Sequence, residues 1–425
     1  MHYLPRLIDA KLAQYIRAFG AVSLRGPKWC GKTTTCLQQA GSAYYLTERN
    51  TQELARINPE NLFSGNPPIL LDEWQRVPEL WDAVRSDVDR VQEKGRFLLT
   101  GSTTPKHVHH SGTGRIARLK MKSMTLSESG ESSAQISLSS LFSESDISGA
   151  QEEPSLESLI NLICRGGWPA SIGSPLEATL LVPREYVAAV CDPDAADMEG
   201  EDAIRFNAQK MRALLHAFGR TTAQLVNKST LLKDFSRGGE HADGKAETIR
   251  SRNTLDAYID YLERSYVIEE QPAWNPALRS PLRLRISPKW HLIDPSLAVA
   301  AMGATPEMLK KDVKTLGFLF ESLCYRDLSV YAACMDAQVY HYRDNSDLEV
   351  DAIVERTDQS WGAFEVKLGA AQVDDAAATL NRLERKMALA GQTAPSCKCV
   401  IVGQGRFAYR RPDGVAVVPI TMLGA

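Results

Sequence analysis

An eight-residue glycine loop near the amino terminus constrains this chain more than any other feature of the sequence. The loop reads Gly26-Pro-Lys-Trp-Cys-Gly-Lys-Thr33, it follows the apolar run Ala21–Leu24, and a helical pattern begins at Lys32. It fits G-x-x-x-x-G-K-[ST] at every fixed position, in the strand-to-helix context that this motif requires. Glycines let the backbone N–H groups turn inward around a phosphate, at the positive end of the following helix. The sequence therefore predicts a phosphate-binding strand–loop–helix unit.

The residues of this loop are predicted to bind ATP and Mg²⁺. Lys32 is placed to reach the β- and γ-phosphates and to act in catalysis, and the Thr33 hydroxyl is placed to ligate the metal. The predicted nucleotide-binding residues of the loop are Gly26, Pro27, Lys28, Trp29, Cys30, Gly31, Lys32, Thr33 and Thr34.

Two acidic residues end the run Ile69-Leu-Leu-Asp-Glu73 and are predicted to complete the phosphate site formed by the glycine loop. Asp72 is predicted to bind Mg²⁺, and Glu73 is predicted to polarise the water that attacks the γ-phosphate. A strand followed by ordinary helix-capping acids gives the same pattern, but its separation from the glycine loop favours the catalytic interpretation. The next apolar run, Arg96–Thr100, leads into hydroxyl side chains that could sense the γ-phosphate, and Ser102 is preferred over Thr100.

Arg115 is a further candidate catalytic residue. A cation near the γ-phosphate stabilises the charge of the transition state, and a neighbouring subunit often supplies it. The competing interpretation is that Arg115 and Arg118 are solvated arginines that flank a strand. Three nearby histidines match no established metal-site spacing, which favours a mobile polar loop; they are His107, His109 and His110.

Length and composition limit the remaining possibilities. A chain of 425 residues is expected to form two or three domains. Hydrophobic residues at 44% and charged residues at 24% are typical of globular proteins and argue against disorder. The sequence has no apolar run of the length that crosses a membrane and no signal-peptide pattern, so we expect a cytoplasmic protein. The eight cysteines lack zinc-type spacing and are expected to be reduced, and a net charge of −3 means that any DNA contact needs a local basic patch.

The middle of the chain has the order of a winged helix-turn-helix. Three helical patterns precede two strand-like runs: Met211–Phe218, Thr230–Phe235 and Thr248–Leu262, then Tyr266–Ala273 and Leu284–Ile293. A DNA-reading version would use the start of the third helix, which offers Arg250, Arg252 and Asn253. The acids on the same segment argue against DNA and leave a protein-binding or structural wing equally open; these are Asp256, Asp260 and Glu263.

Four residues near the carboxyl terminus have the order of the PD-(D/E)XK nuclease core and resemble it. Asp351 precedes Glu365-Val-Lys367, and the period of a strand places Glu365 and Lys367 on one face. The resemblance implies that Asp351 and Glu365 bind Mg²⁺, with Glu321 as a further acid, and that Lys367 stabilises a hydroxide that attacks a phosphodiester. Glutamate and lysine two residues apart are common on strands, and this fold can persist without cleavage, so a catalytically silent domain is the alternative.

Taken together, these motifs resemble prokaryotic AAA-type ATPases that carry a C-terminal domain of unknown function. The resemblance covers most of the chain, and Trp29 departs from it, because that loop position usually holds a smaller or polar residue. The motifs that carry it are the Gly26–Thr33 loop, Leu71-Asp-Glu-Trp-Gln-Arg-Val-Pro-Glu-Leu80, Leu99-Thr-Gly-Ser102, Gly114-Arg115, Leu126-Ser-Glu128, Gly166-Gly-Trp-Pro169 and Ser287-Pro-Lys-Trp-His-Leu-Ile-Asp294.

The sequence thus predicts an α/β protein of three domains. Residues 1–165 form an AAA-type parallel-sheet domain with a serine-rich segment at 123–148, residues 166–300 a winged-helix-like domain, and residues 301–425 a restriction-nuclease-like domain. The predicted activity is ATP hydrolysis coupled to action on nucleic acid, with DNA favoured and a homo-oligomer possible. The alternative is an ATP-dependent module that binds protein partners and has a silent nuclease-like domain. Intact Glu73 argues against a scaffold with negligible turnover.

Overall fold

The computed structural model describes residues 3–104, 112–143, 146–192, 207–237, 252–276 and 287–425. The chain divides into two compact units. The first comprises Met1–Ser123 together with Asp260–Val267, and the second comprises Met124–Ile259 and Ile268–Ala425. In the described part of the chain, no helix is long and apolar enough to span a membrane. All eight cysteines are free thiols.

The first unit alternates strands and helices, as the sequence predicts. Its elements are α1 (Ile8–Ala18), β1 (Ala21–Arg25), α2 (Lys32–Leu37), β2 (Ser42–Tyr45), α3 (Arg49–Ile57), β3 (Ile69–Asp72), α4 (Glu79–Val91), β4 (Phe97–Gly101) and β5 (Ile116–Lys120). The five strands form one sheet in the order β2-β3-β4-β1-β5, and every neighbouring pair is parallel. The prediction of a parallel-sheet α/β domain is confirmed.

Burial on both faces explains why these strands read as continuous apolar runs. Leu71, Phe97 and Leu99 point into one core cluster, while Val22 and Leu98 point into the other. Because successive strand residues point to opposite faces, a strand covered on both sides needs apolar residues at every position. The polar residues then appear where the strands end, at the carboxyl edge of the sheet.

The second unit begins with short elements and helices. These are β6 (Ile136–Ser137), α5 (Leu138–Ser143), β7 (Ser148–Ala150), α6 (Leu156–Arg165), α7 (Leu176–Thr179), α8 (Leu181–Cys191), α9 (Ala208–Arg220), β8 (Gln224–Leu225), α10 (Lys228–Arg237), α11 (Arg252–Arg264), β9 (Ile268–Gln271), β10 (Lys289–Leu292), α12 (Pro295–Ala301) and α13 (Pro306–Lys311). The last five residues of α11 cluster with the first unit, where the Arg264 carbonyl accepts a hydrogen bond from the Thr104 amide (3.1 Å).

The second unit ends in a mixed sheet and its helices. Its remaining elements are α14 (Val313–Cys334), β11 (Ala337–Arg343), β12 (Glu349–Arg356), β13 (Trp361–Lys367), α15 (Val373–Leu389), β14 (Cys397–Val402), β15 (Phe407–Arg410), β16 (Ala416–Pro419) and β17 (Leu423–Gly424). Seven strands pair in the order β11-β12-β13-β14-β16-β15-β7. The amphipathic helix α15 packs its apolar face, including Leu380 and Leu383, on this sheet.

The structure differs from the sequence-based organisation in two places. Residues 124–150, assigned by sequence to the ATP-binding domain, contribute β6, which pairs with β17, and β7, which pairs with β15, so they belong to the second unit. The strand that carries Asp351, β12, is also preceded by a strand that no sequence motif indicated, β11, which follows α14. The three helices of the middle region and the antiparallel pair β9–β10 are present, and the winged-helix interpretation stays a prediction.

Candidate functional site

The predicted phosphate site forms where β1, β3 and β4 end. Thr33, at the start of α2, donates a hydrogen bond from its hydroxyl to Asp72 Oδ1 (2.6 Å), and Thr100 donates to the same oxygen (2.6 Å). Asp72 ends β3, whose residue Leu71 is in register with Leu99 of β4, so Thr100 is the next residue opposite it. Parallel register therefore brings together residues that are far apart in sequence.

The Asp72 carboxylate is buried beside these two hydroxyls. Burial raises the pKa of Asp72 above its ordinary value, the hydroxyls of Thr100 and Thr33 lower it, and the nearby Glu73 raises it further. A cation at this position would offset the cost of burying the charge. The Thr33 hydroxyl and the Asp72 carboxylate also supply the oxygen ligands that Mg²⁺ prefers. The two residues fit the predicted metal role.

Hydrogen bonds within the glycine loop hold the Lys32 side chain. Its Nζ donates hydrogen bonds to the carbonyl oxygens of Gly26 (3.0 Å) and Pro27 (2.8 Å), and the side chain is buried. The ammonium is therefore fixed inside the glycine loop instead of extending into solvent. This is the position from which a lysine can meet the terminal phosphates of a bound nucleotide.

Glu73 is oriented by three groups at the same edge of the sheet. Its carboxylate accepts a hydrogen bond from Ser102 Oγ (2.8 Å) and another from Gln75 Nε2, and its amide donates to Thr100 Oγ1 (3.0 Å). Its backbone lies in the left-handed region, with φ of 55°. This conformation costs free energy for a residue with a side chain, and contacts with the surrounding structure must offset that cost. Gln75 was not anticipated, because a glutamine two residues after the acidic pair carries no sequence signal.

Two glycines are required by the shape of the loop. A Cβ on Gly26 would lie 2.1 Å from the carbonyl oxygen of Met121, so only glycine fits at this close approach. Gly31 has φ of 99°, in the region that favours glycine. Trp29 also has a positive φ, of 62°. About half of its bulky side chain is exposed to solvent.

Arg6 supports the loop from outside and was missed by sequence reasoning. Its buried guanidinium donates to the carbonyl oxygens of Cys30 (2.7 Å) and Lys122 (2.9 Å). Charge-assisted hydrogen bonds of this kind are stronger than neutral ones. Arg6 therefore joins the glycine loop to the segment that follows β5.

Arg115 lies at the edge of the sheet where the parallel strands begin, opposite the edge that carries the glycine loop. Its carbonyl accepts a hydrogen bond from Ala21 at the start of β1, whereas the glycine loop follows the end of β1. About 13 Å of strand separates the two edges at ~3.3 Å per residue. Its guanidinium instead pairs with Asp89 (2.8 Å) on α4. Arg115 therefore lies away from the glycine loop of its own chain, and a catalytic role toward a neighbouring subunit stays a prediction.

We expect Arg115→Ala to leave the ATP turnover rate close to that of the parent. The side chains of Arg115 and Asp89 are 47% and 42% exposed, and such surface ion pairs contribute about 0–1 kcal/mol. Steady-state ATPase assays would measure this, with Arg90→Ala as a control, because Arg90 is a second exposed arginine paired on α4. A large loss of turnover that is restored by mixing with Glu73→Gln protein would instead establish a site shared between subunits.

The four predicted residues of the C-terminal domain do meet at one place. Lys367 Nζ lies 2.6 Å from Glu365 Oε2 and 3.5 Å from Asp351 Oδ2, and the Val366 amide donates to the same Asp351 oxygen (2.8 Å). Glu321 reaches the site from α14. A cavity of about 820 Å³ opens beside them, lined by Glu321, Asp351 and Lys367 among others.

A second lysine lies among these acids, a position that no sequence motif indicated. Lys289, from β10, places its ammonium 2.8 Å from Glu321 Oε1, 2.9 Å from Glu349 Oε1 and 3.9 Å from Asp351 Oδ1. Burial opposes the charge on Lys289, but the three carboxylates outweigh it and raise the pKa of Lys289. Burial raises the pKa of Glu321 to about 7, against the attraction of this ammonium.

The acids of the expected metal site, Glu321, Asp351 and Glu365, thus lie among lysines in the structure. Within the part of the chain that the structure describes, no group of three or more His, Cys, Asp and Glu side chains has an arrangement that could hold a metal ion. The physical reason is that Lys289 and Lys367 stand between the acids. The carboxylates compensate two ammonium groups instead of converging on one point.

Two of the motifs that carry the family resemblance, Gly166–Pro169 and Ser287–Asp294, meet in one hydrogen-bond network. Asp294 accepts hydrogen bonds from the Gly167 amide (3.0 Å), the Ser296 amide (2.9 Å) and Arg326 (2.9 Å). Arg326 also pairs with Asp327, and this whole network is buried. Buried charges need such partners, which explains the glycine pair and the aspartate without a catalytic role.

The predicted DNA-reading residues are not tested by the structure. Arg250 and the side chains of Arg252 and Asn253 lie outside the described residues, as do His107, His109 and His110. Of the acids on the same helix, Asp256 pairs with Lys228 (2.6 Å) and Asp260 pairs with Arg264 (2.9 Å). These two carboxylates are thus partly neutralised by their own unit.

Comparison with known proteins agrees with the geometry of the first unit. Residues 18–130 match an AAA domain. The glycine loop, Asp72, Glu73 and Ser102 all fall inside this AAA domain, which supports ATP binding and hydrolysis. The rest of the chain matches two domains of unknown function, DUF8612 over residues 156–308 and DUF4143 over residues 316–423. Neither description assigns a nuclease or DNA-binding activity.

Two mycobacterial proteins match this chain along most of its length. Uncharacterized proteins of Mycobacterium bovis and Mycobacterium tuberculosis are each 24% identical to this chain over 418 residues, covering 96% of it and 82% of their own length. A Walker-type ATPase of Pyrococcus abyssi is 13% identical, with a TM-score of 0.40, and the match covers 69% of this chain and 94% of that one. Among these comparisons, the match of the AAA domain carries the functional information.

Proposed function

We propose that this protein binds ATP with Mg²⁺ and hydrolyses it to ADP and phosphate. The observation that carries the proposal is the shared contact of Thr33 and Thr100 with one Asp72 oxygen, next to a Glu73 carboxylate held by Ser102 and Gln75. Thr33 and Asp72 are the proposed metal ligands, and a bound Mg²⁺ would neutralise charge on the phosphates.

In this proposal each remaining side chain acts on the phosphates or on water. Lys32 would neutralise the β- and γ-phosphates. Glu73 would orient a water molecule and accept its proton as the oxygen attacks the γ-phosphorus. Ser102 bonds to the Glu73 carboxylate, so we assign it to positioning Glu73, and Thr100 to positioning Asp72. This differs from the sequence-based preference for Ser102 as a sensor of the γ-phosphate.

Two larger roles are compatible with an ATPase of this kind. In the first, ATP drives action on nucleic acid, with DNA favoured, through winged-helix-like and nuclease-like domains. In the second, ATP controls a regulatory module that binds protein partners in the cytoplasm, and the C-terminal domain is catalytically silent. The position of Lys289 among Glu321, Glu349 and Asp351 favours the second role, because a resident ammonium takes the place that a catalytic metal would need.

We expect the purified protein to hydrolyse ATP in the presence of Mg²⁺, at a rate that duplex DNA, single-stranded DNA or RNA leaves unchanged. Phosphate release would be measured with each nucleic acid and without any. A parallel assay with Mg²⁺ and Mn²⁺ would test the same nucleic acids for cleavage, which we do not expect. Stimulation by nucleic acid, or cleavage that is lost in Lys367→Ala, would favour the first role, and absence of ATP turnover would refute the proposal.

A further inference from the structure

The C-terminal cavity contains a lysine where the predicted metal would lie. The Lys289 side chain is 2% exposed, and its ammonium contacts the carboxylates of Glu321, Glu349 and Asp351. It belongs to β10, in a three-stranded sheet, whereas Glu349 and Asp351 belong to the seven-stranded sheet. Packing within the second unit, and not local sequence, therefore brings the ammonium to the acids.

The alternation of side chains along β10 explains why the Lys289 ammonium faces the acids. In the run Lys289-Trp-His-Leu292, side chains alternate between the two faces of the strand. Trp290 packs against Phe218 of α9, with ring centroids 5.4 Å apart, so Lys289 points to the opposite side. An unpartnered ammonium at that depth would be strongly destabilising. The buried Lys289 ammonium is stabilised because the carboxylates of Glu321, Glu349 and Asp351 contact it.

Three carboxylates line the cavity, Glu365 lies beside it, and all four have cationic or amide partners. Glu321 contacts Lys289, Glu349 contacts Lys289 and Arg343 (3.5 Å), and Glu365 contacts Lys367. Asp351 accepts from the Val366 amide and faces both lysines. These contacts therefore pair the four acids with three cations.

A divalent metal and the Lys289 ammonium cannot occupy this position together. Mg²⁺ needs oxygen ligands at about 2.0–2.1 Å in near-octahedral geometry, whereas the Glu321 and Glu349 oxygens are spread around a nitrogen at 2.8 and 2.9 Å. Two positive charges within a few ångströms of one another would also repel strongly in a buried site. The residues present do not fit the metal that the nuclease resemblance implies.

We propose that Lys289 is the resident cation of this cavity and excludes divalent metal ions from it. The lysine neutralises the acids that a nuclease of this fold would use for its metal, and it keeps the domain folded without one. The domain can then bind a divalent cation only when Lys289 is removed or withdrawn. Lys289 thus accounts for acids that follow the order of the nuclease core but lack the geometry of a metal site.

Substitution of Lys289 by methionine tests this proposal. Methionine keeps most of the side-chain volume but removes the charge, which leaves buried acids uncompensated. In nucleotide-free protein, titration with Mn²⁺ followed by electron paramagnetic resonance should show no retention at this cavity in the parent. Lys289→Met should bind one Mn²⁺ per chain at least tenfold more tightly, and adding Asp351→Asn to this variant should abolish the gain.

A matched control is Lys398→Met, in β14 of the seven-stranded sheet that also carries Glu349 and Asp351. Lys398 pairs with Glu384 (2.6 Å) and is mostly buried, but it does not line the cavity, so its loss should not create Mn²⁺ binding. Retention of Mn²⁺ by the parent that Asp351→Asn removes would overturn the proposal, and so would a folded Lys289→Met protein that gains none. If Lys289→Met folds only with Mn²⁺ present, the proposal is supported, and if Mn²⁺ does not restore folding, it is overturned.

The test also separates this inference from the proposed ATPase activity. It uses protein without nucleotide and measures metal at the C-terminal cavity. Failure of ATP hydrolysis would leave its outcome unchanged.

Discussion

Glu73→Gln is expected to lower the ATP turnover rate about 10²–10⁴-fold, which is the usual contribution of a positioned acid–base group. Glutamine has nearly the same size and keeps an oxygen that can accept the hydrogen bond from Ser102, so the position of the side chain should change little. Its amide cannot accept a proton from water. ATP affinity should therefore stay close to that of the parent while turnover falls.

Single-turnover phosphate release and isothermal titration with ATP would measure the two quantities separately. Glu79→Gln is a suitable control, because Glu79 is an exposed acid at the start of α4 in the same unit. A Glu73→Gln protein that hydrolyses ATP at the parent rate would assign the activation of water to another group. A parallel loss of binding and turnover would indicate that Glu73 holds the site together instead.

Lys32→Ala is expected to weaken ATP binding by about tenfold to a hundredfold. Hydrogen bonds to charged groups contribute about 1.5–3 kcal/mol, and every 1.4 kcal/mol corresponds to tenfold in affinity. The substitution also removes the ammonium that the Gly26 and Pro27 carbonyls hold inside the loop. Turnover should fall with binding, because the same charge would stabilise the transferring phosphoryl group.

Isothermal titration with ATP and Mg²⁺ would measure the change in affinity. Lys94→Ala removes an exposed lysine from the same unit, in the loop before β4, and should leave the affinity unchanged. The melting temperature of each variant separates a local effect on the loop from loss of the fold. Parent-like affinity in folded Lys32→Ala would contradict the assignment of the glycine loop.

The AAA domain could be predicted from sequence because its signals are local. A loop with fixed glycines lies between a strand and a helix, and each central strand is a short apolar run. Asp72 and Glu73 follow their strand directly, so parallel register determines their place at the edge of the sheet. Once the strand order is known, Thr33, Asp72 and Thr100 meet without further information.

The C-terminal cavity shows what local patterns leave out. The order of Glu321, Asp351, Glu365 and Lys367 is visible in the sequence, and the structure does bring these residues to one place. The partner that changes their chemistry, Lys289, lies 32 residues before Glu321, in a strand that the sequence pattern interpreted as part of a wing. No periodicity shows which buried lysine will face which acids, because tertiary packing decides it.

Arg6 and Arg115 illustrate the same limit for arginines. Sequence singled out Arg115 because it follows the strand that could sense nucleotide, yet the register places it at the opposite edge of the sheet. Arg6, which carries no motif, donates to the glycine loop at Cys30. Proximity along the chain was a poor guide for both, because strand register determines where Arg115 lies and the long Arg6 side chain makes its contacts across elements.

The serine-rich segment around β6 and β7 has a consequence for synthesis of the chain. Ser132 donates a hydrogen bond to the Leu423 carbonyl, 291 residues later, and Gln151 donates to Gly405, 254 residues later. Ribosomes add roughly 5–20 residues per second, so Ser132 must wait on the order of 15 to 60 seconds for its partner. During that interval β6 and β7 emerge without the strands that pair with them. The second unit can therefore close only after nearly the whole chain has been translated, whereas residues 1–123 need to wait only for the segment at 260–267.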